Sequence, residues 1–237
     1  MQQRRTDSTA APPAPGPERG LFVQPLTDLV ALLPWLLFHA VVTRVHPTDE
    51  AMFGDFRRFS RSVSPQAWWL PGVIVIGVLL LAQVVRGRPW KTGATQVLTL
   101  HVEAAAWALP LWVINRATLL SAEGLAVQPW AMQIAQRVGA AIYEEFVFRV
   151  LLVTLVVGLG ASLLRLPRGK VALIAIVAGG VMFSAYHHLP DFAGMLGSRV
   201  FLFRSIAGVY LGAVYWYRGY GAAAGAHLVY NLGVSAF

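Results

Sequence analysis

The sequence predicts an all-α fold, a polytopic transmembrane helix bundle of about seven spans (six to eight), and three observations carry that reading. Of 237 residues, 57% are hydrophobic and 13% charged, roughly half the charged share of a water-soluble domain, which runs near 25%. Apolar segments recur along the chain, each near the roughly 20 residues that cross a hydrocarbon core of about 30 Å. The basic residues lie between those segments rather than in a stripe, so the net charge of +8 is a matter of topology and no nucleic-acid partner is expected. An ordinary soluble enzyme, a disordered chain and a disulfide-stapled secreted domain are excluded, the last because the chain has no cysteine.

Residues 1–22 open with a Pro-, Ala- and charge-rich stretch and read as a disordered tail, because no apolar run follows Arg4 and Arg5 as a signal peptide requires. Residues 23–237 are expected to form a single transmembrane domain. Its spans fall at about 24–43, 68–85, 97–115, 142–163, 171–188, 200–217 and 221–236. An amphipathic stretch at about 128–140 leads into the fourth. The runs are continuously apolar rather than alternating, so helices satisfy the backbone and a barrel does not. Gly208-x-x-x-Gly212 and Gly221-x-x-x-Gly225 place small residues one turn apart, where helices can approach closely. With seven spans, the tail and the loops near 86–96, 164–170 and 217–220 share one side. They hold ten Lys/Arg against six or seven on the other, which sets the N-terminus in the cytoplasm.

An ionisable residue inside a span is costly and marks function by default. The spans hold His39, His101, Glu103, Glu144, Glu145, Arg149, His187, His188, Arg204 and His227. Three groups stand out. In the first, Glu145 and Arg149 are four apart with the acid N-terminal, the favourable helical ion pair, so Glu145 has a structural explanation. Glu144 has no local partner, and an unpaired buried carboxylate is poised for acid–base work; a carboxylate reaching lipid headgroups is the plainer alternative. The second is Phe183 and His187, on one helix face at the far end of the fifth span. The third is His227 and Asn231, four apart in the last span, two donors suited to a developing oxyanion or to a helix–helix hydrogen bond. Tracing the spans in order brings all three groups toward one membrane surface, with His227 about 15 Å from its helix end.

In that order, Glu-Glu-x-x-x-Arg, Phe-x-x-x-His and His-x-x-x-Asn resemble the motifs of the CPBP intramembrane proteases, the CAAX-protease or ABI family. The pattern Phe201, Gly208, Gly212, Tyr215 and Gly219 is similar too, whereas Val150 stands where many members have glycine. The resemblance covers about Tyr143 to Asn231, with the catalytic core at about 128–237. It implies a glutamic-type intramembrane endopeptidase of the prokaryotic inner membrane, acting on a membrane-embedded or membrane-anchored protein. Under that resemblance Glu144 activates water and His187 positions or polarises it. His227 and Asn231 stabilise the oxyanion, while Glu145, Arg149 and Phe183 support the site. No cofactor is expected; zinc is the alternative, disfavoured because no His-Glu-x-x-His helix is present and Asn is a poor zinc ligand. A proton-coupled transporter and a non-catalytic immunity or scaffold protein of the same fold are the competing functions. The first would call for broken half-helices and an internal repeat, and neither is found in the sequence.

Overall fold

Every regular element among the described residues is a helix. The computed structural model describes residues 24–46, 51–64, 66–118, 129–187 and 198–234; the N-terminal tail and His188 lie outside them. The helices are α1 (Pro25–Val45), α2 (Ala51–Val63), α3 (Leu70–Val85), α4 (Ala94–Ala117), α5 (Trp130–Ser162), α6 (Arg168–Tyr186), α7 (Arg199–Arg218) and α8 (Tyr220–Val234). Local chemistry sets several ends. Pro25 and Pro71 open α1 and α3, where the missing N–H costs nothing. The Ser198 hydroxyl accepts from the Phe201 N–H at 3.0 Å to cap α7. Gly219, at φ 95°, then turns the chain directly into α8, a conformation that only glycine adopts freely.

Five helices, α1 and α4 to α7, are long and apolar enough to cross a bilayer, and the protein is an integral, multi-pass helical membrane protein. The other two expected spans are shorter than these five: α3 has 16 residues and α8 has 15 among the described residues. The reason for α8 lies in its surroundings. Residues Tyr220 to Ala224 and Ala226 to Leu228 are all buried, so α8 is the inner helix of the bundle and meets protein where the others meet lipid. Its small residues permit this, because a Cβ on Gly225 would lie 2.7 Å from the Ala104 Cβ of α4. Lipid-facing positions elsewhere carry exposed apolar side chains, among them Val41, Leu81, Val102 and Val113.

The amphipathic stretch at about 128–140 does lead into the fourth expected span: from Trp130 onward it is the first part of one 33-residue helix. One further departure concerns the catalytic half, because that helix is not regular: Ala140–Glu144 and Phe146–Val153 are π-helical, with backbone bonds running i to i+5, a form concentrated at functional sites. Hydrophobic periodicity has no signature for such a widened turn. Beside it, α6 and α7 cross at two glycines. A Cβ on Gly180 would lie 2.5 Å from the Val209 nitrogen, and one on Gly208 would lie 2.8 Å from the Gly180 Cα. The backbones touch there, and that closeness brings α7 carbonyls within reach of α5 side chains.

Candidate active site

The π-helical stretch of α5 carries Glu144, Glu145 and Arg149, all buried. His187 closes the C-terminal end of α6. Its Nδ1 lies 2.9 Å from the Phe183 carbonyl oxygen and its Nε2 lies 3.2 Å from Glu144 Oε1. A carbonyl only accepts, so Nδ1 carries the hydrogen of that bond. The contact between Nε2 and the carboxylate then needs one proton, held by either partner. Glu144 and His187 are therefore linked through a proton that can sit on acid or base.

Glu145 faces a different set. Arg149 Nε lies 3.0 Å from its Oε2, and His227 Nδ1 lies 3.0 Å from its Oε1. Arg149 also donates through Nη2 to the Gly208 carbonyl at 3.1 Å, at the α6–α7 crossing. With Arg149 paired to it, the Glu145 carboxylate serves as the acceptor, so His227 Nδ1 is the donor in its bond to Glu145. The i to i+4 pair foreseen for Glu145 and Arg149 is present, and it is larger than foreseen, because α8 contributes His227.

Phe183 joins the two sets. Its ring centroid is 4.8 Å from that of His187, 6.1 Å from that of His227 and 5.4 Å from that of Phe148. The Arg149 guanidinium lies 5.1 Å from it, over the ring. Glu144, Glu145, Arg149, Phe183, His187 and His227 are thus one continuous cluster from α5, α6 and α8. Asn231 is half-buried one turn beyond His227 on α8. His227 is seven residues from the last described residue of α8, about 10 Å along the axis.

The other described residues of the set expected inside spans, Glu103, His101, His39 and Arg204, lie apart from this cluster. Glu103 pairs with Arg218 and accepts from Trp107 Nε1 at 3.0 Å, tying α4 to the far end of α7. His101 is exposed, with Nδ1 2.8 Å from the Val97 carbonyl. His39 is buried against Phe53 and Tyr143, with ring centroids 4.3 and 5.3 Å away. Arg204 is half-buried on α7. Sequence reasoning passed over Tyr186, whose ring meets His187 edge to face at 5.5 Å, and Asp55, which accepts from the Tyr186 hydroxyl. Adjacency to His187 is the one signal that singles out Tyr186.

Glu145 accepts from His227 through Oε1 and is ion-paired with Arg149 through Oε2, and an arginine on a carboxylate opposes a second cation there. Among the described residues no three His, Asp or Glu side chains group as metal ligands.

A multi-pass helical membrane protein with paired carboxylates and imidazoles buried where three helices meet is the class that fold and site define. Residues 126–233 match the family model described as Rce1-like, type II CAAX prenyl endopeptidase. That segment is somewhat under half of the chain and includes every residue of the cluster, so the likeness to this family of peptidases covers the whole of the site. No curated protein and no solved structure matches the chain. Helices α1 to α4 fall outside the matched segment.

Proposed function

We propose that the protein is a glutamic-type intramembrane endopeptidase in which Glu144 activates water. The observation that carries this reading is the 3.2 Å contact between Glu144 Oε1 and His187 Nε2, in a pair whose other imidazole nitrogen is already committed to the Phe183 carbonyl. Glu144 takes a proton from water as its oxygen bonds to the scissile carbonyl carbon. His187 holds that water and shares the proton. The carbonyl oxygen becomes an oxyanion, met by Asn231 and by His227, whose Nε2 donates when the imidazole is charged. Collapse of the tetrahedral species breaks the C–N bond, and the proton held by Glu144 and His187 passes to the leaving nitrogen. The products are a carboxylate and an amine.

The reading needs no metal. Its substrate is a membrane-embedded or membrane-anchored protein, cut near a C-terminal anchor. With the N-terminus in the cytoplasm of a prokaryotic cell, the site opens away from the cytoplasm and meets exported precursors. Glu144→Gln is expected to abolish cleavage while the protein is still inserted at normal levels, and precursors that accumulate in its membrane proteome are the substrates. Cleavage at the normal rate by that variant sinks the mechanism. Reporter fusions at the tail, at 165–170 and near 190 test the orientation; a cytoplasmic signal from the last reverses it.

A further inference from the structure

Part of the Glu144–His187 neighbourhood is supplied from outside the family-matched segment, by α2. This helix is amphipathic, with Met52, Phe53 and Ser60 buried and Arg58, Phe59 and Arg61 exposed. Its inner face lies on the π-helical turn that ends in Glu144: the Phe53 and Phe56 rings are 5.3 and 5.6 Å from Tyr143, and Phe56 is 6.4 Å from Phe146. Asp55 sits between those two phenylalanines. One of its oxygens accepts from the Tyr186 hydroxyl and the other pairs with Arg58, so both are committed.

Tyr186 is the last residue of α6 and His187 follows it. A helix end has few backbone bonds to restrain it and frays first, yet here it carries the imidazole that must meet Glu144. Phe183 supports one side of that imidazole at 4.8 Å, and the Tyr186 ring meets it at 5.5 Å with planes at 89°. The Tyr186 ring is itself only half-buried. Among the described residues its ring also meets Phe148, at 6.0 Å, and its hydroxyl bonds to Asp55. A hydrogen bond to a carboxylate is stronger than one between neutral groups. A continuous line of contacts therefore runs from Asp55 through Tyr186 and His187 to Glu144.

We infer that Asp55 and Tyr186 are positioning residues for His187, and that α2 is in consequence a working part of the active site. The inference rests on the peptidase reading and adds to it two residues, one of them outside the family-matched segment. Neither touches the scissile bond. Their contribution is to hold Nε2 where Glu144 can exchange a proton with it, so their loss acts on turnover rather than on substrate binding.

The test compares Tyr186→Phe, Asp55→Ala, Asp55→Asn and the double variant Tyr186→Phe/Asp55→Ala in the full-length protein reconstituted into liposomes. The probe is the precursor that accumulates when Glu144→Gln replaces the wild type. Tyr186→Phe and Asp55→Ala should each lower kcat by about tenfold with KM little changed, as small misplacements at reacting groups do. The double variant should be no slower than either single one, because both remove the same link. Asp55→Asn, which still accepts a hydrogen bond, should restore most of the rate. Wild-type kcat in Tyr186→Phe, or losses that add in the double variant, would overturn the inference. An inactive Glu144→Gln beside fully active Asp55 and Tyr186 variants defeats the positioning role only; an active Glu144→Gln defeats the peptidase reading instead. A substrate-free arm uses protein labelled with 15N in histidine. Both single variants should move the His187 ring signals and leave those of His227 in place, and unmoved His187 signals count against the inference whatever the cleavage assays give.

Discussion

Two glutamates that are neighbours in the chain occupy chemically opposite places in the fold. Glu145 is held by Arg149 and His227, both its oxygens engaged at 3.0 Å, in a set whose arginine reaches on to the α7 backbone. Glu144 meets His187. The difference lies in the partner. A guanidinium keeps its charge at any working pH, whereas an imidazole gains and loses a proton near neutrality. A carboxylate tied to the first is an anchor, and one tied to the second can pass protons. One step along the helix is enough to separate the two roles.

The sharpest way to break that contrast is to neutralise each member in turn. Glu144→Gln should cut the cleavage rate by about 10²–10⁴-fold, the usual worth of a general base, with the thermal unfolding midpoint in detergent unchanged. A large fall in that midpoint would make Glu144 an anchor as well. Arg149→Ala should behave in the opposite sense and lose about 3–5 kcal/mol of stability, because it strands a buried carboxylate; poor insertion and a depressed unfolding midpoint are the readouts. Gly180→Val tests the scaffold beneath Arg149. Its side chain would press on the α7 backbone, where even a Cβ comes within 2.5 Å of a nitrogen, and overpacking of this kind costs about 1–3 kcal/mol. Smallest of all is the effect of a strong zinc chelator, which should leave the rate unchanged. Loss of activity restored by added zinc would mean that the Glu145 cluster had been misread.

How much of this was legible beforehand differs between the halves of the site. The motifs Glu-Glu-x-x-x-Arg, Phe-x-x-x-His and His-x-x-x-Asn mark the residues of the cluster, and the i to i+4 relation of Glu145 to Arg149 follows from helix geometry. The partner of Glu144 does not, since His187 is 43 residues away and His227 is 82 residues from Glu145. Glu103 shows the same limit from the other side. It is as anomalous in an apolar span as Glu144, yet 115 residues on it finds Arg218 and serves as a tie between helices. Helix α2 was invisible as an element of the site because a short amphipathic helix between two spans states only that it lies at an interface.

The sequence by itself determined the solvent and the class of fold. Transfer from water to lipid sums over residues in any order, so composition and segment length suffice to show a helical bundle in a membrane. It also determined which residues were out of place there, because a charge in an apolar run is conspicuous whatever it touches. Only the tertiary structure decided which imidazole each glutamate meets, His187 for Glu144 and His227 for Glu145. That choice rests on contacts of about 3 Å between distant helices. Their positions come from a widened π-helical turn and a crossing of two glycines, and neither registers in hydrophobicity.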